Sequence, residues 1–240
     1  MNYFQKTCSR LADTLLPQRC ALCHRKTGSA AAVCPSCDAG LPQPPLDCCP
    51  CCADFSAAGV TCGRCLTAPP AFDRVIGAFL YAEPVDRLIQ SLKYGHQLYL
   101  AHWFGTRLLA ALHLEQPLLH TIDAVIALPL HPARLKKRGF NQAVEIARPV
   151  ARALHRPLHL FAATRVRDTA PQAGLPRAER QRNMSDAFEC GIDVTGQTLL
   201  LIDDVLTTGS SAHELARILK IHGASRVIVA VAARTHHPVP

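Results

Sequence analysis

The sequence predicts an α/β protein in which a parallel sheet carries helices on both faces and follows a small cysteine-rich module. Short apolar runs alternate with segments whose apolar residues recur at helical spacing, as in proteins with buried parallel strands. Ten of the twelve cysteines lie between Cys20 and Cys65, before the first of these runs. We therefore expect the cysteine-rich module over residues 1–68 and the larger domain over 69–240.

The elements of the larger domain follow from the period of the apolar residues. Apolar runs predict strands over 75–81, 124–129, 199–205 and 226–232. Apolar residues three and four apart predict helices over 85–92, 99–114, 143–154 and 212–219. The polar, basic segment 164–187 predicts a long mobile loop, with room for a short helix over 177–184. Residues 1–16 fit either one amphipathic helix or an irregular lead-in.

The formal net charge of +8 is concentrated in one part of the chain. Residues 131–182 contain twelve lysines and arginines and only three acidic residues, which accounts for the whole excess. Such a segment indicates a polyanionic partner, either phosphate groups or a nucleic acid, and a solvated basic surface is the alternative. We favour a partner because the basic residues lie beside loop-like stretches, where ligands bind.

No stretch of the sequence has the length and apolar character of a signal peptide or of the ~20-residue helix that spans a membrane. We therefore expect a cytoplasmic protein without a membrane span. Disulfides are rare in that compartment, so the many cysteines indicate metal binding.

The cysteine-rich region repeats one spacing, in which two residues separate a pair of cysteines. Two thiolates at this spacing can hold a zinc ion from a tight turn, and a second pair completes a tetrahedral site. The predicted ligands are Cys20, Cys23, Cys34, Cys37, Cys49, Cys52, Cys62 and Cys65. Sequential pairing gives one site from the first four and another from the last four, whereas an interleaved arrangement would also use all eight.

Some features of the cysteine pattern stay open. The pair Cys48 and Cys51 overlaps the third pair and leaves the ligand register there uncertain, and the isolated Cys8 and Cys190 are expected to be structural. Coordination by thiolates alone leaves no open position, so the zinc ions are expected to stabilise a short segment, by on the order of 10 kcal/mol, and not to catalyse a reaction. Residues 18–68 carry little net charge, which weakens a DNA-binding role for this region alone.

The stretch LLIDDVLTTGSS at 200–211 places two neighbouring acids, Asp203 and Asp204, at the end of an apolar strand. Ligands of doubly wound sheets bind beyond the carboxyl ends of the strands. Adjacent carboxylates suit the vicinal hydroxyls of a ribose, or a magnesium ion that bridges a ribose and a diphosphate. The residues that follow offer hydroxyls, backbone amides and a helix N-terminus to a phosphate group. They are Thr207, Thr208, Gly209, Ser210 and Ser211.

Ordinary helix capping is the alternative explanation for this stretch. Capping needs one hydroxyl or carboxylate residue and does not require a dense run of them behind two acids. The sequence contains neither G-x-x-x-x-G-K-[ST] nor G-x-G-x-x-G, which argues against the common ATPase and dinucleotide-binding classes.

The stretch at 200–211 closely resembles the signature of the type I phosphoribosyltransferases, which bind 5-phosphoribosyl-1-diphosphate. The resemblance implies that Asp203 and Asp204 hold the ribose hydroxyls, with magnesium accompanying the diphosphate. It also implies that residues 207–211 hold the 5′-phosphate.

Further motifs resemble the ComF/GntX family over nearly the whole chain. They are LKYGHQ at 92–97, PLHPARLKKRGFNQA at 129–143 and PQAGLPRAERQRNMSDAF at 171–188, behind the four cysteine pairs. The resemblance implies a phosphoribosyltransferase-like sheet preceded by a zinc module. It also implies that Arg134, Arg138 and Asn141 contact diphosphate and that residues 164–187 form a loop that closes over the site.

The family resemblance implies two different functions. In the first, which we favour, the protein binds phosphoribosyl diphosphate and helps to handle internalised single-stranded DNA during DNA uptake, together with protein partners. In the alternative, it is an active phosphoribosyltransferase of nucleotide or nucleoside metabolism. The basic segment suits both functions, since a diphosphate and a DNA backbone are both polyanions.

Overall fold

The computed structural model describes residues 18–27, 31–167 and 187–236. The helices considered for 1–16 and 177–184, Cys8 and most of the predicted mobile loop lie outside these residues. The helices are α1 Pro35–Ala39, α2 Gly63–Thr67, α3 Val85–Tyr94, α4 Tyr99–His113, α5 Gln116–Leu119, α6 Pro132–Arg138, α7 Gln142–Leu154 and α8 Ser210–Ile221. The strands are β1 Arg74–Leu80, β2 Ala124–Ala127, β3 Leu158–His159, β4 Ala163–Arg165, β5 Phe188–Cys190, β6 Thr198–Leu206 and β7 Arg226–Arg234.

Five strands form one parallel sheet in the order β1-β7-β6-β2-β3. The central strand β6 pairs with β7 along its length and with β2 over residues 199–202. Both neighbours are apolar and buried, as strands covered on both faces must be. The parallel sheet predicted from the apolar runs is therefore confirmed.

The order of the strands decides where the helices lie. The connections from β1 to β2 and from β2 to β3 cross the sheet in one direction, whereas the connection from β6 to β7 crosses in the other. Because such crossovers are right-handed, α4 and α7 cover one face and α8 covers the opposite face. The direction of winding reverses between β6 and β2. In sheets of this kind, ligands bind beyond the carboxyl ends of the strands at such a point.

The core between α4, α7 and the sheet is tightly packed. The rings of Phe79 and Trp103 stack at 5.4 Å, and Phe104 meets Trp103 edge-on at 4.8 Å. Gly105 on α4 faces Pro149 on α7 so closely that an added Cβ would lie 2.4 Å from the proline ring. The glycine is therefore required for this helix crossing, which fixes α7 and the loop before it.

The cysteine-rich module packs against β1, which is an edge strand of the sheet. The amide of Leu80 donates to the carbonyl of Pro42 at 3.0 Å, so the module supplies one backbone partner to that edge. A groove runs between them, lined by Pro44, Pro45 and Leu46 on one side and by β1 on the other. The module therefore covers part of a strand edge that would otherwise face solvent.

The structure adds a helix after β2 and corrects the start of the predicted mobile loop. The segment after β2 contains α6, which starts at Pro132 behind the capping side chain of His131 and ends at Gly139 with a φ of 82°. The loop predicted over 164–187 begins inside β4, which pairs antiparallel with β5. Among the described helices, none has the length and apolar character needed to cross a membrane.

Candidate functional site

The cysteine side chains gather into two clusters of four, in sequential order. The first cluster is Cys20, Cys23, Cys34 and Cys37, and the second cluster is Cys49, Cys52, Cys62 and Cys65. Within each cluster the sulfur atoms all lie within 4.8 Å of one another. This arrangement confirms the sequential pairing and excludes the interleaved one.

The spacing of the sulfur atoms fits a tetrahedral metal site. Cys23 and Cys34 lie 3.7 Å apart at their sulfur atoms, and so do Cys52 and Cys62. A tetrahedron with zinc–sulfur bonds of about 2.3 Å has edges of about 3.8 Å. The two clusters are therefore four-cysteine zinc-binding sites, with every coordination position filled by protein.

Backbone amides point at one buried sulfur atom in each cluster. Leu22 and Cys34 donate to Cys20 Sγ at 3.5 and 3.3 Å. The amide of Cys62 donates to Cys49 Sγ at 3.4 Å. Burial raises the pKa of both thiols, but N–H donors outweigh it and lower the pKa of Cys20 to about 6 and that of Cys49 to about 7. One sulfur in each cluster thus favours the thiolate form, which is the form that binds zinc. Hydrogen bonds from Cys34 and Cys23 raise the pKa of Cys37 to about 12, and burial raises the pKa of Cys52 to about 11, so those thiols would lose their protons to a bound cation.

Cys48 and Cys51 lie outside both clusters. Cys48 forms an isolated β-bridge with Phe55, and Cys51 Sγ lies 4.0 Å from the carbonyl oxygen of Phe72. Burial raises the pKa of both thiols, which keeps them protonated. The uncertain ligand register is therefore resolved in favour of Cys49 and Cys52.

The acid pair lies near the carboxyl end of β6, one of the two strands between which the winding reverses. All five residues from Thr198 to Ile202 are buried. Half-buried and buried residues alternate only from the acids onward, where Asp203 is half-buried and Asp204 is 4% exposed. The carboxylate of Asp203 accepts the amide of Asp204 at 2.8 Å. The two acids are thus held in an apolar strand at the place where ligands of this topology bind.

Lys93 forms an ion pair with Asp204 that the sequence analysis missed. Its ammonium group, from the last turn of α3, contacts Asp204 Oδ2. Both side chains are largely buried, and Asp204 Oδ2 has no hydrogen-bond partner among the described residues apart from this ion pair. Lys93 lies within the quoted segment LKYGHQ, so a lysine inside a family motif was the signal that could have found it.

The three charges shift one another's protonation. Burial, and then the carboxylate of Asp204, raise the pKa of Asp203 well above its ordinary value. Burial alone lowers the pKa of Lys93, but attraction to Asp204 and Asp203 outweighs it and raises the pKa overall. Lys93 is therefore charged, and Asp203 carries an excess of negative potential that a bound cation or hydroxyl donor would relieve.

Residues 207–209 connect β6 to α8, and Ser210 and Ser211 are the first two residues of that helix, so 207–211 form one compact turn. Gly209 caps α8 with a φ of 78°, a conformation that side chains rarely adopt. Thr208 Oγ1 and Ser210 Oγ lie 2.9 Å apart, and the amide of His213 donates to the carbonyl of Gly209 at 2.7 Å. The hydroxyls and the N-terminus of a twelve-residue helix therefore converge one turn beyond the acid pair.

The structure separates the three residues expected to contact diphosphate. Arg138 Nη1 donates to Gln142 Oε1 at 2.5 Å, and its guanidinium carbon lies 5.3 Å from the centre of the ring of Tyr94, the residue after Lys93. Arg134 is half-buried on α6. Asn141 caps α7 by accepting the amide of Ala143 at 2.9 Å, and it donates to the carbonyl of Leu128 at 3.0 Å. Asn141 thus has a structural role in shaping this loop.

Known proteins share both parts of this chain. A phosphoribosyl transferase domain model matches residues 141–239, and a double zinc ribbon domain model matches residues 11–66. DNA utilization protein YhgH of Shigella flexneri is 35% identical over 90% of each chain, and its counterpart from Escherichia coli K12 is 34% identical over the same shares. Competence protein F of Haemophilus influenzae is 30% identical over 70% of this chain and 76% of its own. The chain belongs to the ComF/GntX family.

A solved purine phosphoribosyltransferase from Pyrococcus horikoshii Ot3 aligns with 57% of this ComF-family chain and 92% of its own, at 15% identity and a TM-score of 0.33. The matched transferase domain model begins at Asn141, so it includes the acid pair and the turn at 207–211. On the strength of the two domain models, the ComF-family chain is a phosphoribosyltransferase-like protein with an N-terminal double zinc ribbon.

A basic and aromatic surface adjoins the acid pair of this ComF-family protein. Lys136 and Lys137 are exposed on α6, and Tyr94 is 70% exposed although Arg138 covers part of its ring. The ring of Phe140 meets His96 at 6.0 Å beside them. Proteins bind single-stranded nucleic acids with such surfaces, in which bases stack on exposed aromatic rings and the backbone phosphates pair with the cations.

Proposed function

We propose that this ComF-family protein binds phosphoribosyl diphosphate at the carboxyl end of β6. One observation carries the proposal: Asp203 and Asp204 lie where the sheet winding reverses, and a hydroxyl-rich turn at a helix N-terminus follows them directly. The carboxylates would accept hydrogen bonds from the ribose hydroxyls. Residues 207–211 would hold the 5′-phosphate, and Arg134 and Arg138 would face the diphosphate.

Magnesium fits the same proposal. Carboxylate oxygens are the ligands that Mg²⁺ prefers. Burial, and then the charge of Asp204, raise the pKa of Asp203, and a bound cation would oppose both effects. The ion would be held by Asp203 and Asp204 together with the sugar diphosphate. When bound, it supplies charge neutralisation at the diphosphate.

Calorimetry tests the proposed ligand. We expect the wild-type protein to bind phosphoribosyl diphosphate in the presence of magnesium, and Asp203→Asn to weaken binding by at least tenfold. Ribose 5-phosphate should bind more weakly than phosphoribosyl diphosphate, because it lacks the diphosphate. Lys220→Gln is the matched control, since Lys220 pairs with Asp73 at 2.8 Å at the far end of α8. Absence of binding to the wild type, or equal binding by Asp203→Asn, would contradict the proposal.

A role in handling single-stranded DNA is the second proposal. It is supported by the exposed Lys136 and Lys137, by the open ring of Tyr94 and by the names of the relatives, DNA utilization protein and Competence protein F. Phosphate contacts would come from the lysines, and a base would stack on Tyr94. As part of this proposal, the protein acts in the cytoplasm together with protein partners in DNA uptake.

Salt dependence separates the two kinds of DNA contact. Neutralising Lys136 should reduce the slope of log K against log salt by about 0.7, the value for one phosphate contact on a single strand. Tyr94→Ala should weaken binding by about tenfold, equivalent to about 1.4 kcal/mol of stacking, and leave the slope unchanged. Binding that is indifferent to salt, or unaffected by both changes, would contradict a direct DNA role.

A further inference from the structure

The side chain of Arg234 joins the second zinc cluster to the turn at 207–211. Arg234 is the last residue of β7, where it lies in register with Leu206 on β6. It is 3% exposed, although arginine is almost never buried without partners. The donors of a guanidinium this deeply buried must therefore be satisfied by the protein around it.

The guanidinium group divides its hydrogen bonds between two regions. Nε donates to the carbonyl of Cys52, a ligand of the second cluster, at 3.0 Å. Nη1 donates to the carbonyls of Leu206 and Thr207 at 3.1 and 2.6 Å, and also to Thr235. The fixed fork of an arginine thus sets the distance between a metal ligand and the first residue of the turn.

A carboxylate completes this connection. Asp54 is buried and lies 3.4 Å from Arg234 Nη2, and it also contacts Arg64 on α2. His236 Nδ1 lies 3.0 Å from the same carboxyl group. The positive charge of Arg234 is therefore compensated from the cysteine module, so the ion pair and the carbonyl bonds hold module and turn together.

Two further contacts lie beside Arg234. The amide of Ala71 donates to His213 Nδ1 at 3.0 Å, which links the segment after the second cluster to the first turn of α8. The ring of Phe72 lies 3.6 Å from the position that a Cβ on Gly209 would occupy. Ala71 and Phe72, which follow the cysteine-rich module in the chain, thus contact the N-terminal part of α8 and Gly209.

We infer that Arg234 is a positioning residue that couples the second zinc cluster to the phosphate site. Without the fork, the carbonyls of Cys52, Leu206 and Thr207 would each lose a donor, and among the described residues only that of Leu206 keeps another, the amide of Thr235 at 3.0 Å. The turn would then relax away from the geometry that receives a phosphate. The first cluster has no such connection among the described residues; its neighbour Asp38 pairs instead with Arg107 on α4 at 3.0 Å. This inference rests on the proposed phosphate-binding role of residues 207–211.

Three variants of the full-length, zinc-loaded protein test the coupling. Arg234→Lys keeps the charge but loses the fork. Cys62→Ser removes one ligand of the second cluster, and Cys34→Ser is its matched control in the first cluster. Zinc content, the amide resonances of residues 206–211 without ligand, and the affinity for phosphoribosyl diphosphate are measured for each.

We expect Arg234→Lys to keep two zinc ions, to move the 206–211 resonances and to bind phosphoribosyl diphosphate at least tenfold more weakly. Cys62→Ser should lose one zinc ion and move the same resonances, whereas Cys34→Ser should lose one zinc ion and leave them in place. Unchanged resonances in Cys62→Ser, or equal changes in Cys34→Ser, would overturn the coupling even if Arg234→Lys failed to fold. A wild type that does not bind phosphoribosyl diphosphate would refute the proposed function, while the resonances would still decide the coupling.

Discussion

The cysteine clusters and the acid pair solve the burial of negative charge in opposite ways. In each cluster, backbone amides donate to one buried sulfur and lower its pKa, so one thiolate is stabilised before any ion binds. At the acid pair, Asp204 has Lys93 but Asp203 is left with a raised pKa beside a second carboxylate. In the first arrangement the protein supplies every ligand of the zinc site, whereas in the second the proposed phosphoribosyl diphosphate would complete the site.

This comparison explains why one region is structural and the other is a candidate binding site. A closed site of four thiolates has no position for a substrate, and its free energy goes into folding. An ionised acid whose pKa is raised by folding destabilises the folded state. Such destabilising groups are typical of functional sites. Removing a cluster cysteine and neutralising Asp203 should therefore affect stability with opposite signs.

The largest effect is expected from breaking a metal cluster. Cys49→Ser removes a buried ligand that also accepts the amide of Cys62. We expect loss of one of two zinc ions and a loss of stability of several kcal/mol, within the ~10 kcal/mol that a structural zinc site can supply. Zinc content and thermal unfolding measure both; a variant that kept two zinc ions would show that Cys49 is not a ligand.

A smaller loss is expected from Asp204→Asn. The change leaves the ammonium group of Lys93 buried without its carboxylate, and breaking one side of a buried pair costs about 3–5 kcal/mol. Chemical denaturation should show this loss together with weaker binding of phosphoribosyl diphosphate. The double variant Asp204→Asn with Lys93→Met should recover part of the stability but none of the binding. No recovery would mean that the ion pair is not the cause.

Asp203→Asn should change stability in the opposite direction. An unfolded aspartate loses its proton near pH 4, whereas folded Asp203 keeps it to higher pH because its pKa is raised. The folded state then binds more protons, so the free energy of unfolding falls as pH rises through this window. Asp203→Asn removes that loss, and we expect its Tm to exceed that of the wild type by about 2–4 °C at neutral pH.

The pH profile gives the contradicting result for that variant. The difference in Tm between Asp203→Asn and the wild type should be small near pH 4 and grow toward neutral pH, because the two proteins differ only in the carboxyl group of residue 203. A difference that is constant with pH would show that the carboxyl group is not strained. Binding of phosphoribosyl diphosphate should still be weaker in the more stable variant.

The smallest effect is expected from the two cysteines outside the clusters. Cys48→Ser and Cys51→Ser should each keep two zinc ions and change stability by less than about 1 kcal/mol, since neither sulfur joins a cluster. They are matched to Cys49→Ser because they lie in the same turn. Loss of zinc from either variant would reopen the ligand register.

The sequence was sufficient for those features that depend on local pattern. Apolar runs predicted the four longest strands, and repeated cysteine spacing predicted two sites of four cysteines each. The sequence did not show which cysteine pairs share a zinc site, because that depends on how the turns that carry the pairs pack against one another. Lys93 and Arg234 were missed for the same reason: their partners Asp204 and Cys52 lie more than one hundred residues away along the chain.

The cover that the cysteine module gives to β1 has a consequence for chains that lack metal. If the module unfolds, the amide of Leu80 loses its hydrogen bond to the carbonyl of Pro42, and the apolar edge strand β1 becomes exposed to solvent. Such a border recruits strands from other molecules, which is the usual start of aggregation. When zinc is limiting, we therefore expect this protein to aggregate as well as to lose its candidate binding site. Bound zinc would thus oppose self-association.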